Sequence, residues 1–292
     1  MRKALVIFSF FFLWACGGGP SGPDEMLITV TIAPYKYFIR EIAGDDFTVN
    51  IMVPPGANPH IYEPYPAQIR SLSRSAAYLG NGFLGFESAW MKRFEEINKD
   101  MKKVMAGDRI SPIAPDHSHG AGRSHSEAAD PHYWVSPKCA LELAAVVRDL
   151  VCELNPASAE EYNRNYETLA GKIREVDKRA EDLFSDLTNR HFMIYHPNLA
   201  YIARDYGLEE VAVEFEGKEP SPSRMKELID LAVRENINTI FIQKEYDIRN
   251  ARAIAAGTGG EIRIIDPLSE DWYRSVTDII DGLYTSLTSS GK

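Results

Sequence analysis

Short apolar runs rich in β-branched residues alternate with longer segments of helical periodicity along most of the chain. Four such runs in the first half predict strands, at residues 27–32, 47–53, 76–80 and 102–107. Four more follow in the last third, at residues 192–196, 209–215, 238–243 and 262–266. Strand–helix alternation is typical of parallel sheets with helices on both faces. The pattern therefore predicts an α/β fold of two lobes, each with a mainly parallel sheet flanked by helices.

The segment from Ser158 to Leu187 is the longest uninterrupted helical pattern in the chain. Its apolar residues recur at helical spacing: Tyr162, Tyr166, Leu169, Ile173, Val176, Ala180, Leu183 and Leu187. Ser158 and Glu161 match a capping box, and at 1.5 Å per residue the helix would measure about 45 Å. A coiled coil is the alternative, but charges interrupt the apolar stripe and a second such segment is lacking. We therefore expect one long rigid helix that joins the lobes.

These patterns divide the chain into three structural parts after its N-terminal region. We expect an N-terminal α/β lobe at 27–155, a linking helix at 156–189 and a C-terminal α/β lobe at 190–290. Within the first lobe, residues 111–131 are small and polar without periodicity, which predicts a mobile loop that contains histidines.

The first residues have the features of an export signal. Arg2 and Lys3 precede an apolar run at 4–15, which is shorter than the roughly 20 residues needed to cross a bilayer. Residues 1–15 are therefore expected to be a signal peptide. The residues before Cys16 resemble a bacterial lipoprotein box, although Trp14 is bulky for it, so we expect a lipidated Cys16 and a flexible tether at 16–26. The alternative is ordinary secretion with cleavage near residues 17–19 and a soluble periplasmic protein.

Composition narrows the classes of partner. The chain is 45% hydrophobic and carries 32 basic against 42 acidic residues, a net charge of −10. An acidic surface disfavours nucleic acid, and we expect a monomer. Cys139 and Cys152 would lie about 20 Å apart on one helix, which excludes a disulfide between them. We expect both to be buried thiols.

Three of the seven histidines stand beside proline at predicted strand ends or loops: His60, His132 and His196. Asp266 ends the last predicted strand and also precedes proline. In α/β sheets, ligands bind outside the carboxyl ends of the strands, and three imidazoles with a carboxylate suit zinc and are tolerable for manganese. A lone histidine beside proline is more often a loop residue, and Asp before Pro often forms a turn. Because four such residues occur at equivalent positions, metal binding and a structural role in loops or turns explain them equally well.

The same residues resemble the cluster A-I (cluster 9) solute-binding proteins of zinc and manganese ABC transporters. The matching segments follow the order of that family and cover nearly the whole chain: "VPPGANPHIYEP" (53–64), "DPHYWVSP" (130–137), "YHPNLAYIARDYGL" (195–208), "EGKEPSPSRMKELI" (216–229) and "IIDPL" (264–268). The resemblance implies a metal site in the cleft between the lobes, with His60, His132, His196 and Asp266 as ligands. It also implies that His117, His119 and His125 lie in an auxiliary metal-collecting loop, for which a solvated linker is an equal alternative.

By this resemblance the protein captures a divalent metal outside the cytoplasmic membrane, zinc first and manganese as the alternative, and delivers it to an ABC permease and its ATPase. Zn²⁺ or Mn²⁺ is then cargo, and neither a catalytic residue nor an organic cofactor is expected. Tyr133 and Trp134 are expected to shield the metal, Ser136 to cap the next helix and His191 to be structural. Gln243 stands where relatives often have glutamate, and we assign it no role.

Two other functions are weighed against metal delivery. A periplasmic zinc hydrolase would need an open coordination position and a general base such as Glu63. The chain has neither an H-E-x-x-H helix nor a G-x-S-x-G elbow. Cell adhesion is a label that accompanies the family, and no residue in the sequence argues for it.

Overall fold

The structure is a computed structural model that describes residues 26–113, 129–214 and 218–289. The strands of the first sheet are β1 (Met26–Ile32), β2 (Phe47–Val53), β3 (Ala77–Gly80) and β4 (Lys102–Met105). The helices that accompany it are α1 (Pro34–Ala43), α2 (Pro66–Leu72), α3 (Gly85–Ile97) and α4 (Pro137–Leu154). All pairings are parallel, in the order β2-β1-β3-β4. Strand β1 is central and buried from Ile28 to Ile32, as expected of a parallel strand with covered faces.

The second sheet repeats this plan. Its strands are β5 (His191–Ile194), β6 (Glu209–Ala212), β7 (Thr239–Gln243) and β8 (Glu261–Ile265), paired in parallel in the order β6-β5-β7-β8. The helices around it are α6 (Ala200–Tyr206), α7 (Pro222–Arg234), α8 (Arg249–Thr258) and α9 (Trp272–Thr288). The two-lobe α/β fold with parallel sheets is confirmed.

One long helix, α5 (Ala159–Phe184), joins the lobes. Its 26 residues correspond to about 39 Å. Lys172 pairs with Glu41 of α1 at 2.8 Å, and Arg179 pairs with Asp281 of α9 at 2.7 Å. The helix is therefore held against elements from both ends of the chain.

The predicted capping box at the start of α5 is wrong. Ser158 occupies the N-cap position, but its side chain makes no capping hydrogen bond. A short 3₁₀ turn at Pro156–Ser158 precedes the helix, and Ser158 Oγ instead accepts from Asn155 Nδ2 at 3.1 Å. The helix also ends at Phe184, three residues before the predicted Leu187.

The apolar interior is divided unequally. The larger core includes the first sheet, α4, α5 and α9, and extends to Phe192 and Ile194 of β5. A smaller core lies between the second sheet and helices α7 and α8.

Cys139 is a buried free thiol and Cys152 is half-buried and also free, so only the first is buried as predicted. None of the described helices combines the length and apolar character needed to cross a bilayer. The predicted signal peptide and Cys16 lie outside the described residues.

Candidate metal centre

His60 lies on the loop between β2 and α2. Its backbone N–H donates to Asn58 Oδ1 at 2.9 Å, so Asn58 and Pro59 shape the turn that presents it. The residue is exposed on its outer side, while Nε2 lies 3.2 Å from Nε2 of His196. Burial of the ring and the neighbouring His132 and His196 lower the pKa of His60 to about 3. The imidazole is therefore neutral, as a metal ligand must be.

His132 follows Asp130 and Pro131 and precedes a 3₁₀ turn at Tyr133–Val135. Asp130 Oδ1 accepts from the His132 backbone N–H at 2.7 Å and lies 2.9 Å from its Nδ1. Although burial acts in the opposite direction, the contacts with His132 hold the pKa of Asp130 below its usual range. An ionised Asp130 places the ring proton on Nδ1, which leaves the Nε2 lone pair for a metal.

His196 follows β5 by two residues. Its Nδ1 lies 3.4 Å from Glu214 Oε2, a contact too long for a good hydrogen bond, and neither atom has another partner among the described residues. The ring stacks on Tyr246, with centroids 5.0 Å apart and planes at 16°. Burial lowers the pKa of His196, while Glu214 acts against it. Stacking and the carboxylate together orient this ring.

The structure brings the three predicted histidines together. One nitrogen from each of His60, His132 and His196 lies within 4.8 Å of the others. Bonds of 2.0–2.1 Å to a tetrahedral zinc place ligand nitrogens about 3.3 Å apart, close to the 3.2 Å between His60 and His196. The cavity beside them measures about 20 Å³, room for one ion or water. The arrangement can hold a single metal ion.

The cavity is lined from both lobes. Its lining residues are Pro59, His60, His132, Trp134, His196, Asn198, Gln243, Glu245, Tyr246, Pro267 and Leu268. A shielding role for Trp134 stays a prediction, but the residue lines the cavity, with its ring centroid 5.5 Å from that of His132. Tyr133 does not, because its hydroxyl lies 2.6 Å from that of Tyr35 and donates to Asn81 O at 2.8 Å in the first lobe.

Other predicted residues lie apart from the histidine cluster. Asp266 follows β8, but its carboxylate pairs with Lys244 and does not line the cavity. His191 lies 2.8 Å from Glu209 on the neighbouring strand, in keeping with a structural role. Glu63 is exposed and is not among the lining residues. His117, His119 and His125 lie outside the described residues.

Some residues around the site were not singled out by sequence reasoning. Asp130 could have been found, since it stands two residues before His132 in the same stiff segment. Glu214, Glu245 and Tyr246 follow strands β6 and β7 at the same sheet edge as His196. Their position on that edge was predictable, but the direction of their side chains was not. Ser136 precedes α4 as expected, but its hydroxyl bonds to Asp205 rather than capping the helix.

Comparison with known proteins points in one direction. Residues 28–285 match the family model described as zinc-uptake complex component A, periplasmic, or ZnuA. A solved structure named ZnuA is 32% identical and superposes with a TM-score of 0.83, over 91% of this chain and all of that one. The periplasmic zinc-binding protein TroA from Treponema pallidum shares the fold, with a TM-score of 0.78 at 20% identity over 91% of this chain and all of that one.

Two curated relatives resemble the chain in sequence. The zinc-binding lipoprotein AdcA from Streptococcus pneumoniae (strain R6) is 26% identical over 88% of this chain and 53% of its own length. A putative metal-binding protein from Treponema pallidum (strain Nichols) is 26% identical over 83% of this chain and 79% of its own. The chain thus spans about half the length of the streptococcal relative.

Proposed function

Because the chain belongs to the family of periplasmic zinc-uptake component A proteins, we propose that it captures one zinc ion outside the cytoplasmic membrane for delivery to an ABC permease. The observation that carries this proposal is the approach of His60, His132 and His196 to within 4.8 Å of one another. Three imidazoles around a cavity of one-ion size favour zinc over manganese, which prefers oxygen ligands. The family is a metal-binding component of transport, and Glu63, the general base named for the hydrolase alternative, is not among the residues that line the cavity.

The metal reaches and leaves the site as cargo. His132 and His196 are held by Asp130 and by Tyr246 before any metal binds, which reduces the ordering that binding requires. The mechanism involves no bond making beyond coordination.

The partners that follow from this function are a membrane permease and its ATPase. Residues 1–15 would direct export, and a lipid on Cys16 would keep the protein at the membrane. A Cys16→Ala variant that remained in the membrane fraction would contradict the lipid anchor.

The deciding experiment is metal analysis with competitive titration of the purified protein. We expect one tightly bound zinc per chain, and a loss of tight binding in His132→Ala because the best-oriented ligand is removed. His191→Ala is the matched control, since this histidine lies outside the cluster, and it should bind zinc normally. Tighter binding of manganese than zinc, or unchanged zinc affinity in His132→Ala, would overturn the proposal.

A further inference from the structure

The two ring nitrogens of His196 face different surroundings. Its Nε2 lies 3.2 Å from Nε2 of His60, so this nitrogen faces the other histidines of the cluster. Its Nδ1 lies on the opposite side, 3.4 Å from Oε2 of Glu214. A neutral imidazole binds a metal through the nitrogen that carries no proton, and the hydrogen bond made by the other nitrogen decides which one that is. The partner of Nδ1 therefore matters for binding at Nε2.

Two buried polar atoms meet at this contact, and neither is satisfied. His196 Nδ1 and Glu214 Oε2 have no hydrogen-bond partner among the described residues. Their side chains are 13% and 7% exposed. At 3.4 Å the contact is longer than a good hydrogen bond, and buried polar atoms without partners are unfavourable. A shift of about 0.5 Å would bring the two atoms to normal hydrogen-bond length and satisfy both.

The backbone on both sides of the contact is held by the second sheet. The pairing of β5 with β6 continues past the strand ends, where the Glu214 N–H donates to Tyr195 O at 2.8 Å. Gln243 Nε2 of β7 donates to His196 O at 2.7 Å. The sheet thus places the histidine and the glutamate side by side, and a movement of their side chains alone can close the contact.

The same two strands carry a second histidine–glutamate pair at their other ends. His191 and Glu209 are register partners at the start of β5 and β6, and His191 Nε2 lies 2.8 Å from Glu209 Oε2. The two side chains are 30% and 67% exposed, and neither residue lines the cavity. The strand pairing therefore sets a glutamate beside a histidine twice, once in solvent with the contact made and once in the interior with the contact open.

Metal binding changes the charge balance at the buried pair. The three histidines contribute no negative charge to a bound dication, and uncompensated charge in a buried site is costly. Glu214 is separated from the metal position by one imidazole ring, so its charge can act on the ion without taking a coordination position. Asp130 already stands in this relation to His132, with its Oδ1 2.9 Å from Nδ1. A closed contact at Glu214 would give His196 the same support.

We propose that Glu214 is a positioning residue for His196, and that its contact with Nδ1 closes when a metal binds at Nε2. This inference rests on the proposed function and deepens it. The hydrogen bond keeps the ring proton on Nδ1, holds the ring toward the cluster and strengthens His196 as a donor to the metal. Tyr246 stacks on the same ring at 5.0 Å, which fixes the plane of the ring but does not select the nitrogen.

The test compares two substitutions on β6 and its extension, Glu214→Gln and Glu209→Gln. Each removes the charge of a carboxylate that faces a histidine and keeps the size of the side chain. Zinc affinity is measured by competitive titration. We expect Glu214→Gln to weaken zinc by about 10- to 100-fold, the usual effect of losing the outer partner of a histidine ligand. Glu209→Gln is the matched control and should stay within about twofold, because an exposed ion pair contributes little.

A second measurement separates positioning from general support of the fold. In the cobalt(II)-loaded protein, proton NMR resolves the exchangeable ring N–H protons of metal-bound histidines far from the other signals. The His196 proton should exchange slowly with deuterium oxide, because it is buried and bonded to a carboxylate. Glu214→Leu removes the acceptor, so one ring N–H should exchange faster while the others keep their rates. A merely structural role would not change a single ring proton selectively.

Three results would overturn the inference. The first is native zinc affinity in Glu214→Gln, and the second is an equal loss in Glu209→Gln, which makes the effect a general one of the strand. The third is unchanged ring N–H exchange in Glu214→Leu. Thermal unfolding of the metal-free variants checks that each is folded, and Glu214→Asp, whose carboxylate reaches less far, is the second variant and should show a loss of the same order. The proposed function survives all three results, because it fails only if His132→Ala still binds zinc tightly.

Discussion

The segments that carry His132 and His60 face the same cavity but are held very differently. Around His132, Asn81 Nδ2 donates to Pro131 O at 2.9 Å and Tyr201 donates to Asp130 O at 2.9 Å. Trp134 Nε1 donates to Pro267 O at 2.8 Å, and Trp272 Nε1 donates to Trp134 O at 2.7 Å. These contacts come from both lobes, so the His132 segment is fixed on two sides.

The loop of His60 has few such contacts. Its links to the second lobe are the 3.2 Å approach of His60 Nε2 to His196 Nε2 and a 3.5 Å hydrogen bond from Asn58 Nδ2 to Tyr246 Oη. Ile61 and Tyr65 are 80% and 65% exposed. His60 has no carboxylate partner among the described residues, unlike His132 and His196. Because regions with few buried contacts open at the lowest free-energy cost, the His60 loop should be the part of the cavity wall that opens most readily.

The largest expected effect tests the unequal anchoring itself. Trp134 is 1% exposed and packs at the junction of the lobes. Trp134→Ala should lower the free energy of unfolding by about 3–5 kcal/mol, the cost of a large buried truncation. Ile61→Ala should change it by no more than about 0.5 kcal/mol, because the side chain is in solvent. Denaturant unfolding of the metal-free proteins measures both, and equal losses would show that the two segments are anchored alike.

A smaller effect should appear in metal affinity when a partner of each loop is removed. Asp130→Asn takes the charge from the group that orients His132, and it should weaken zinc by about 10- to 100-fold. Asn58→Ala removes only a turn contact and a long hydrogen bond beside His60. A change of about twofold, equivalent to ~0.5 kcal/mol, is expected there. Competitive titration would contradict the comparison if Asn58→Ala proved the more damaging change.

The last effect concerns pH and stability without metal. Histidine in the unfolded chain has a pKa of about 6.5, whereas burial and its two neighbours lower the pKa of His60 to about 3. Between these values the unfolded state binds more protons, so the free energy of unfolding should fall as pH falls below about 6.5. Urea unfolding at about pH 7 and pH 5 measures the decline. His60→Gln should reduce it, and an unchanged decline would show that His60 is not responsible.

Sequence reasoning succeeded where periodicity determines position. Strand ends, the long helix and the placement of His60 and His196 at one sheet edge follow from alternation and parallel-sheet geometry. His132 precedes a helix instead, and its place in the site was implied by the resemblance to the metal-binding family. It was weaker on side-chain direction, which depends on the backbone angles of single residues in turns. Tyr133 turns into the first lobe, Ser136 bonds to Asp205, and Lys244 reaches Asp266. A ligand role for Asp266 therefore stays a prediction that the expected position alone cannot support.

The bond from Trp272 to Trp134 also couples the far end of the chain to the candidate metal centre. Trp272 begins α9, the last helix of the described chain, and it contacts Phe38 of α1 with ring centroids 5.3 Å apart. The segment that carries His132 is thus fixed partly by a helix that lies about 140 residues further along the chain, a contact of long sequence separation. Loosening of α9 would therefore also loosen the segment that presents His132.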